Sequence, residues 1–265
     1  MATVKVLFIG DIIGRIGRRV VRHFLPGIKA ERSVDVTIAN GENAAGGFGL
    51  TPETAAELFD IGVDVITTGN HVWDKKEIIP FFRERPDIIR PMNFPEGVPG
   101  RGSVRLENVI DIPFWVVNIQ GKVMMPPIAC PFLAMESFLK SLPPSEKLIV
   151  VDFHAEATSE KKAMGYCLDG RVSLLLGTHT HVATRDLEIL KGGTGYISDV
   201  GMTGPYDSVI GMKKEGSIER IVTGMPNVLE VAKGRPALSA VFAELDASTG
   251  RCLSVEYISR ELKAG

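Results

Sequence analysis

Cysteine is scarce in this chain of 265 residues, with only Cys130, Cys167 and Cys252. They lie far apart and form no CxxC pair. A disulfide scaffold and a thiolate zinc site are therefore poor readings, and a reducing cytoplasm fits best. No sign of charge prevails, with 30 Lys plus Arg against 32 Asp plus Glu. A broad nucleic-acid footprint needs a strongly basic face and finds no support here. A small or single-stranded phosphate ligand is compatible with this balance. No apolar run approaches the roughly 18 residues of a membrane span. The N-terminus has no basic stretch leading into an apolar segment and cleavage site. Val4–Ile9 reads instead as a short buried strand running straight into Asp11. Internal repeats, low-complexity tracts and clear linkers are also missing, so one domain over residues 1–265 is expected.

What is present is ordinary globular composition, 45% apolar. A chain of this length can build a core without disulfides or a structural metal, so a bound metal would serve chemistry more than folding. The first half alternates strand and helix. Val4–Ile9 is an apolar run of the kind buried on both faces. Residues 15–32 are amphipathic and read as a helix that Pro26 should kink or break. Residues 34–39 form a second strand. Thr51, Pro52 and Glu53 are the signature of a helix start, and residues 63–67 give a third strand. This spacing implies right-handed crossovers and a parallel sheet. Five prolines between Pro80 and Pro99 suggest loops around short strands. Further strands are expected at 114–119, 148–153 and 172–176, a helix at 131–142, and a terminal hairpin from 237–245 and 253–259.

The polar residues fall at a consistent place. Asp11 follows the first strand, Glu42 and Asn43 the second, and Asn70 and His71 the third. His154 follows residues 148–153, and His179 and His181 follow residues 172–176. Five strands thus each deliver potential metal ligands at the carboxyl end, the edge where parallel α/β sheets bind ligands. Strand ends also hold side chains with the rigidity a metal site needs. Of only five histidines, four lie just past a buried strand; His23, inside the first helix, needs no special role. Each motif has a plainer reading. Gly10-Asp11 and Gly41-Glu42-Asn43 could be ordinary turns, and His154 a satisfied core histidine. Gly177-Thr178-His179-Thr180-His181 is the most specific: in an extended segment two histidines two residues apart point the same way and can serve neighbouring metals.

With this order and spacing, residues 11–181 resemble the calcineurin-like metallophosphoesterase superfamily. Its pattern is Asp after the first strand, a bridging acid after the second, Asn-His after the third, then a lone His and a closing Gly-x-His-x-His. Two positions depart from it. Ile13 stands where a histidine is usual, and the bridging acid is Glu42, followed by Asn43, where Asp is usual. With Gly-Glu-Asn-Ala-Ala-Gly-Gly at 41–47 and Ser-Asp-Val-Gly-Met-Thr-Gly-Pro at 198–205, these departures resemble the YmdB-like branch over essentially the whole chain.

The resemblance implies an α/β fold: a β-sandwich core, helices on both sides, and ligands at strand carboxyl ends. It implies one divalent metal held by Asp11, Glu42, Asn43 and His181. A second would be held by Glu42, Asn70, His154 and His179, with Glu42 bridging and His71 as the acid near the leaving group. Asn43 is the natural substitute for the ligand missing at Ile13. The implied activity is hydrolysis of 2′,3′-cyclic nucleotides and other phosphodiesters by a hydroxide activated between two metals, in a bacterial cytoplasm. Carboxylate, amide and imidazole donors favour iron or manganese and accommodate zinc. Read from the residues alone, Gly46, Gly47 and Gly49 either let backbone approach the phosphate or form a flexible loop without contact, Asp199–Pro205 is either a wall of the site or a structural turn, and Arg15 and Arg18 either meet phosphate or are solvated helix charges. Partners are a small phosphodiester or cyclic nucleotide and no membrane; an RNA-derived substrate and a homo-oligomer are compatible with the sequence. Two alternatives stay open: a phosphomonoesterase or nucleotidase with the same metals, and a non-enzymatic regulatory module that retains them.

Overall fold

The computed structural model describes residues 2–106 and 111–263. In chain order its elements are β1 (Thr3–Ile9), α1 (Gly14–Arg32), β2 (Val36–Asn40), α2 (Pro52–Ile61), β3 (Val65–Thr67), α3 (Ile78–Phe81) and β4 (Ile88–Ile89). Then come β5 (Ser103–Leu106), β6 (Phe114–Gln120), α4 (Pro131–Ser141), β7 (Leu148–His154), α5 (Thr158–Leu168) and β8 (Leu174–Thr178). The last are β9 (Glu188–Ile189), β10 (Gly195–Ile197), β11 (Gly204–Asp207), α6 (Lys214–Thr223), β12 (Gly234–Asp246) and β13 (Cys252–Glu261).

These strands make two sheets. One runs β11-β12-β1-β2-β3-β4 with β13 paired to β12; the other runs β5-β6-β7-β8-β10-β9. Side-chain alternation sorts each strand between two cores. Val4, Val6 and Phe8 of β1 join Phe114, Val116, Leu148, Val150 and Leu174 between the sheets. Leu7 and Ile9 face the other way, onto Val20, Val21, Leu25 and Ile28 of α1. On the second sheet Ile149, Val151 and Phe153 pack instead on Met135 of α4 and Met164 and Leu168 of α5. The result is a β-sandwich with helices outside both sheets, as the fold class expected.

Strands β1 to β4 are parallel, as are β6, β7, β8 and β10. The C-terminal hairpin β12–β13 makes the first sheet mixed, because β12 lies antiparallel against β1 from Thr3↔Asp246 to Ile9↔Ala240. Three expected strand starts, at residues 34, 63 and 172, fall later, at Val36, Val65 and Leu174. The amides of Val34 and Val63 donate to the carbonyls of Lys29 and Leu58 and so belong to helix ends. Pro26 does not break α1, which continues to Arg32. Buried side chains on both sides of Pro26, Val21 and Leu25 before it and Ile28 after it, hold the helix to the sheet through the lost hydrogen bond. Thr51 caps α2 as expected, exchanging hydrogen bonds with Thr54.

On the inter-sheet face the apolar stripe turns polar at the strand ends. Asn40, Thr67, Asp152 and Thr178 are all fully buried there. The Asp152 carboxylate accepts from Asn40 Nδ2 at 2.9 Å, Thr67 Oγ1 at 2.5 Å and Thr178 Oγ1 at 2.6 Å. Four strands from two sheets are thereby tied together just beneath the loops that carry the candidate ligands.

Candidate metal centre

Seven of the eight candidate residues lie in the loops after β1, β2, β3 and β8 and His154 ends β7, so all eight meet at one end of the sandwich. Nε2 of His154 is a point of convergence. It lies 3.0 Å from Oε1 of Glu42, 3.0 Å from Oδ1 of Asn70 and 3.1 Å from Nδ1 of His179. Glu42, His154 and His179 form a group able to hold a metal ion. The other ring nitrogen of His154 lies 2.8 Å from the Thr178 hydroxyl, which donates to Asp152. With Thr178 accepting from Nδ1–H, Nε2 is left free for a ligand's role. Gly69 permits this approach: a Cβ there would sit 2.3 Å from the His154 ring and 2.4 Å from Oε2 of Glu42.

The remaining candidates gather beside this point. Nδ2 of Asn43 lies 3.2 Å from Oε1 of Glu42 and 3.2 Å from Nε2 of His181. His181 Nε2 is 3.6 Å from Oδ1 of Asp11. Rotating the Asn43 amide by half a turn presents its oxygen to the same place. Ile13, where a histidine was usual, is fully buried and packs where Gly204 and Gly211 pass closest; a Cβ on them would lie 2.9 and 3.0 Å from it.

The donor set fits a divalent metal. Oδ1 of Asp11 is buried with no hydrogen-bond partner among the described residues. A carboxylate oxygen so placed costs free energy unless a cation meets it. Burial outweighs the neighbouring histidines and raises the Asp11 carboxyl. Burial also opposes charge on Glu42, but His154 and His71 prevail and hold it at about 2. The same contact raises His154 to about 9 against its burial, while burial and the charge on His154 push His179 down to about 3. Two buried acids thus draw positive charge to this point, and the oxygen and imidazole donors suit iron, manganese or zinc.

His179 and His181 do not lie in the extended segment expected. Their φ angles are 98° and 66°, in the left-handed region. The chain turns sharply after β8, whose Gly177 packs so closely on Ser198 that a Cβ would lie 1.8 Å from its carbonyl oxygen. The two rings still serve neighbouring positions, but through a turn.

His71 stands at the rim of a cavity of about 410 Å³ that Glu42, Asn43, His179 and His181 also line. Its Nδ1 lies 2.8 Å from Oδ2 of Asp74, and its backbone N–H donates to Oε2 of Glu42. Arg220 is the one Lys or Arg among the described residues lining the cavity. Arg18 is committed elsewhere, to Glu57 at 2.6 Å and to the Ala44 carbonyl. Gly47 lines the cavity, while His23 is exposed on α1 beside Phe24. Asp74, Glu156 (3.1 Å from His179 Nε2) and the wall from Val209 to Leu229 were not singled out in the sequence. An acid three residues after His71 and another two after His154 were the available signals. The wall carries none, since only the folded chain brings it over the strand ends.

A sequence profile of YmdB-like proteins matches residues 7–258. The chain is 46% identical over 255 residues to a Bacillus subtilis (strain 168) protein named 2′,3′-cyclic-nucleotide 2′-phosphodiesterase, covering 96% of each chain. A hypothetical protein from Thermus thermophilus superposes with a TM-score of 0.90 at 41% identity, covering 97% of this chain and 99% of the other. A Mycoplasma pneumoniae structure described as a novel phosphatase gives a TM-score of 0.93 at 34% identity, covering 98% and 94%.

Proposed function

Because the chain belongs to the YmdB-like family, we propose that it is a metal-dependent phosphodiesterase that opens 2′,3′-cyclic nucleotides and related phosphodiesters. The observation that carries this reading is the convergence of Glu42, Asn70 and His179 on Nε2 of His154. In this reading Asp11, Glu42, Asn43 and His181 hold one ion. Glu42, Asn70, His154 and His179 hold the other, and Glu42 is shared. Two divalent ions, iron or manganese by donor type, would supply charge neutralisation at the phosphodiester and acidify a water molecule.

The chain's own residues do the rest. Only Asp11 and Glu42 among the seven ligands bring negative charge; the others are neutral amides and imidazoles. The loaded site therefore keeps a positive excess that attracts an anionic substrate. Asp74 accepts from Nδ1–H of His71 and fixes the ring, leaving Nε2 to carry a proton to the leaving oxygen. Imidazole is the side chain best suited to give up a proton near neutral pH. By analogy with the Bacillus subtilis relative, the ester broken is the one at the 2′ oxygen.

Arg220 as the sole Lys or Arg among the described residues lining the cavity favours a diester over a monoester, whose nearly double charge calls for more basic contacts. The test is a matched panel of mono- and diesters, including 2′,3′-cyclic nucleotides, run on protein with measured metal content. Faster turnover of monoesters would replace this reading with a monoesterase. No product from any cyclic nucleotide would favour a regulatory module.

A further inference from the structure

Lys161 and Asp199 are both 1% exposed, lie outside the cavity lining, and form an ion pair of 2.7 Å. Burying such a pair is seldom a gain in stability over apolar side chains of the same size. Its placement suggests another use. Lys161, on α5, also donates to the carbonyl of Thr178 at 2.8 Å. Oδ2 of Asp199 accepts from both the backbone N–H of Thr180, at 3.1 Å, and its hydroxyl, at 2.8 Å. The pair therefore grips the chain on both sides of His179 and immediately before His181. Those two histidines carry left-handed backbone angles, which non-glycine residues adopt only when their surroundings impose them. Asp199 is itself fixed, its other oxygen accepting from Gly201 N–H at 2.8 Å and its amide donating to Thr184 Oγ1 at 2.9 Å.

We infer that Lys161 and Asp199 are a positioning pair for the Gly177–His181 turn, holding one ligand for each metal in place without touching either ion. The inference rests on the two-metal reading above. It has a signature that a merely structural role lacks: both metal sites weaken together, while the metal-free fold stays intact. Loss of Asn43 or Asn70 should instead weaken one site alone.

The experiment is titration with Mn²⁺, resolving both binding steps, alongside thermal unfolding of the metal-stripped protein. The double variant Lys161→Met, Asp199→Asn removes both charges and nearly preserves volume. Its stripped form should unfold close to the parent, while both dissociation constants rise about 10- to 100-fold, the usual loss when a ligand's supporting partner is removed. Thr180→Ala takes away only the hydroxyl donor and covers the case in which the double variant does not fold; it should weaken both sites by a smaller factor. Thr180→Ser should retain parental affinity. A parent that binds two ions beside folded variants that bind them equally well, or lose only one, would overturn the positioning role alone. A parent that binds no Mn²⁺ would overturn the metal centre, and this role with it.

Discussion

Nδ1 of His71 lies 2.8 Å from Oδ2 of Asp74, within a single turn of chain after β3. If His71 delivers the proton, its loss should matter only where the leaving group needs one. His71→Ala should lower kcat on a 2′,3′-cyclic nucleotide by about 10²- to 10⁴-fold. Bis(4-nitrophenyl) phosphate, whose leaving group departs unprotonated, should lose far less, and metal content should stay near that of the parent. Asp74→Asn should follow the same pattern more weakly. Equal losses on both substrates would remove His71 from the role of acid.

Glu42 and Asn43 are neighbours in sequence but should differ in what they control. Glu42→Ala removes the shared carboxylate and should strip both metals and all turnover. Asn43→Ala should leave the set around His154 intact, so metal analysis should fall from two ions per chain towards one. A fully metallated Asn43→Ala protein would show that the first ion does not need this amide.

The pH dependence of metal binding follows from His154. In metal-stripped protein its folded-state value of about 9 lies above the ordinary 6.5 of a histidine, because Glu42 favours the charged ring. Its contribution to stability is then full below 6.5 and is lost as pH rises through 9. A metal must displace that proton. Below about 9 the apparent affinity should therefore rise about tenfold per pH unit, with release of one proton per chain from this site. Calorimetric titration in buffers of different ionisation enthalpy counts that proton; a count of zero at about pH 7 would contradict the pairing of His154 with Glu42.

Asp152 accepts three side-chain hydrogen bonds below the site. Asp152→Ala would strand the donors of Asn40, Thr67 and Thr178 in a buried space, at a cost of about 1–3 kcal/mol for each one left unmet. Asp152→Asn keeps one oxygen and should be milder. Urea unfolding of the metal-stripped proteins measures both. Equal stability of the alanine variant and the parent would mean that water replaces the carboxylate.

The common placement of the candidate ligands at one end of the sandwich was legible in the sequence because each lies within a few residues of the end of an apolar run, and strand ends are marked by that change of polarity. The sandwich was harder to see. Val4 to Ile9 and Leu148 to Phe153 are apolar at every position save Lys5 and Asp152, so alternation does not show which face meets the other sheet. Asp152 itself falls within such a run and carries no mark of its buried role. The turn at His179 and His181 was read as extended because its left-handed angles are imposed by Lys161 and Asp199, one earlier and one later in the chain, and neither carries a local signal. The wall from α6 entered the site for the same reason: contact in space without a pattern in sequence.

Strand β1 lies between β2 and β12, with Thr3 paired to Asp246 and Ile9 to Ala240. During synthesis β1 therefore waits for a partner made long after it before its second edge is covered. An uncovered edge of this kind invites pairing with other chains. Each proposed ion also takes ligands from both sheets, so neither set of ligands is complete until the two sheets have packed together. Chains cut short before β7 lack His154, His179 and His181, and should accordingly hold neither proposed ion.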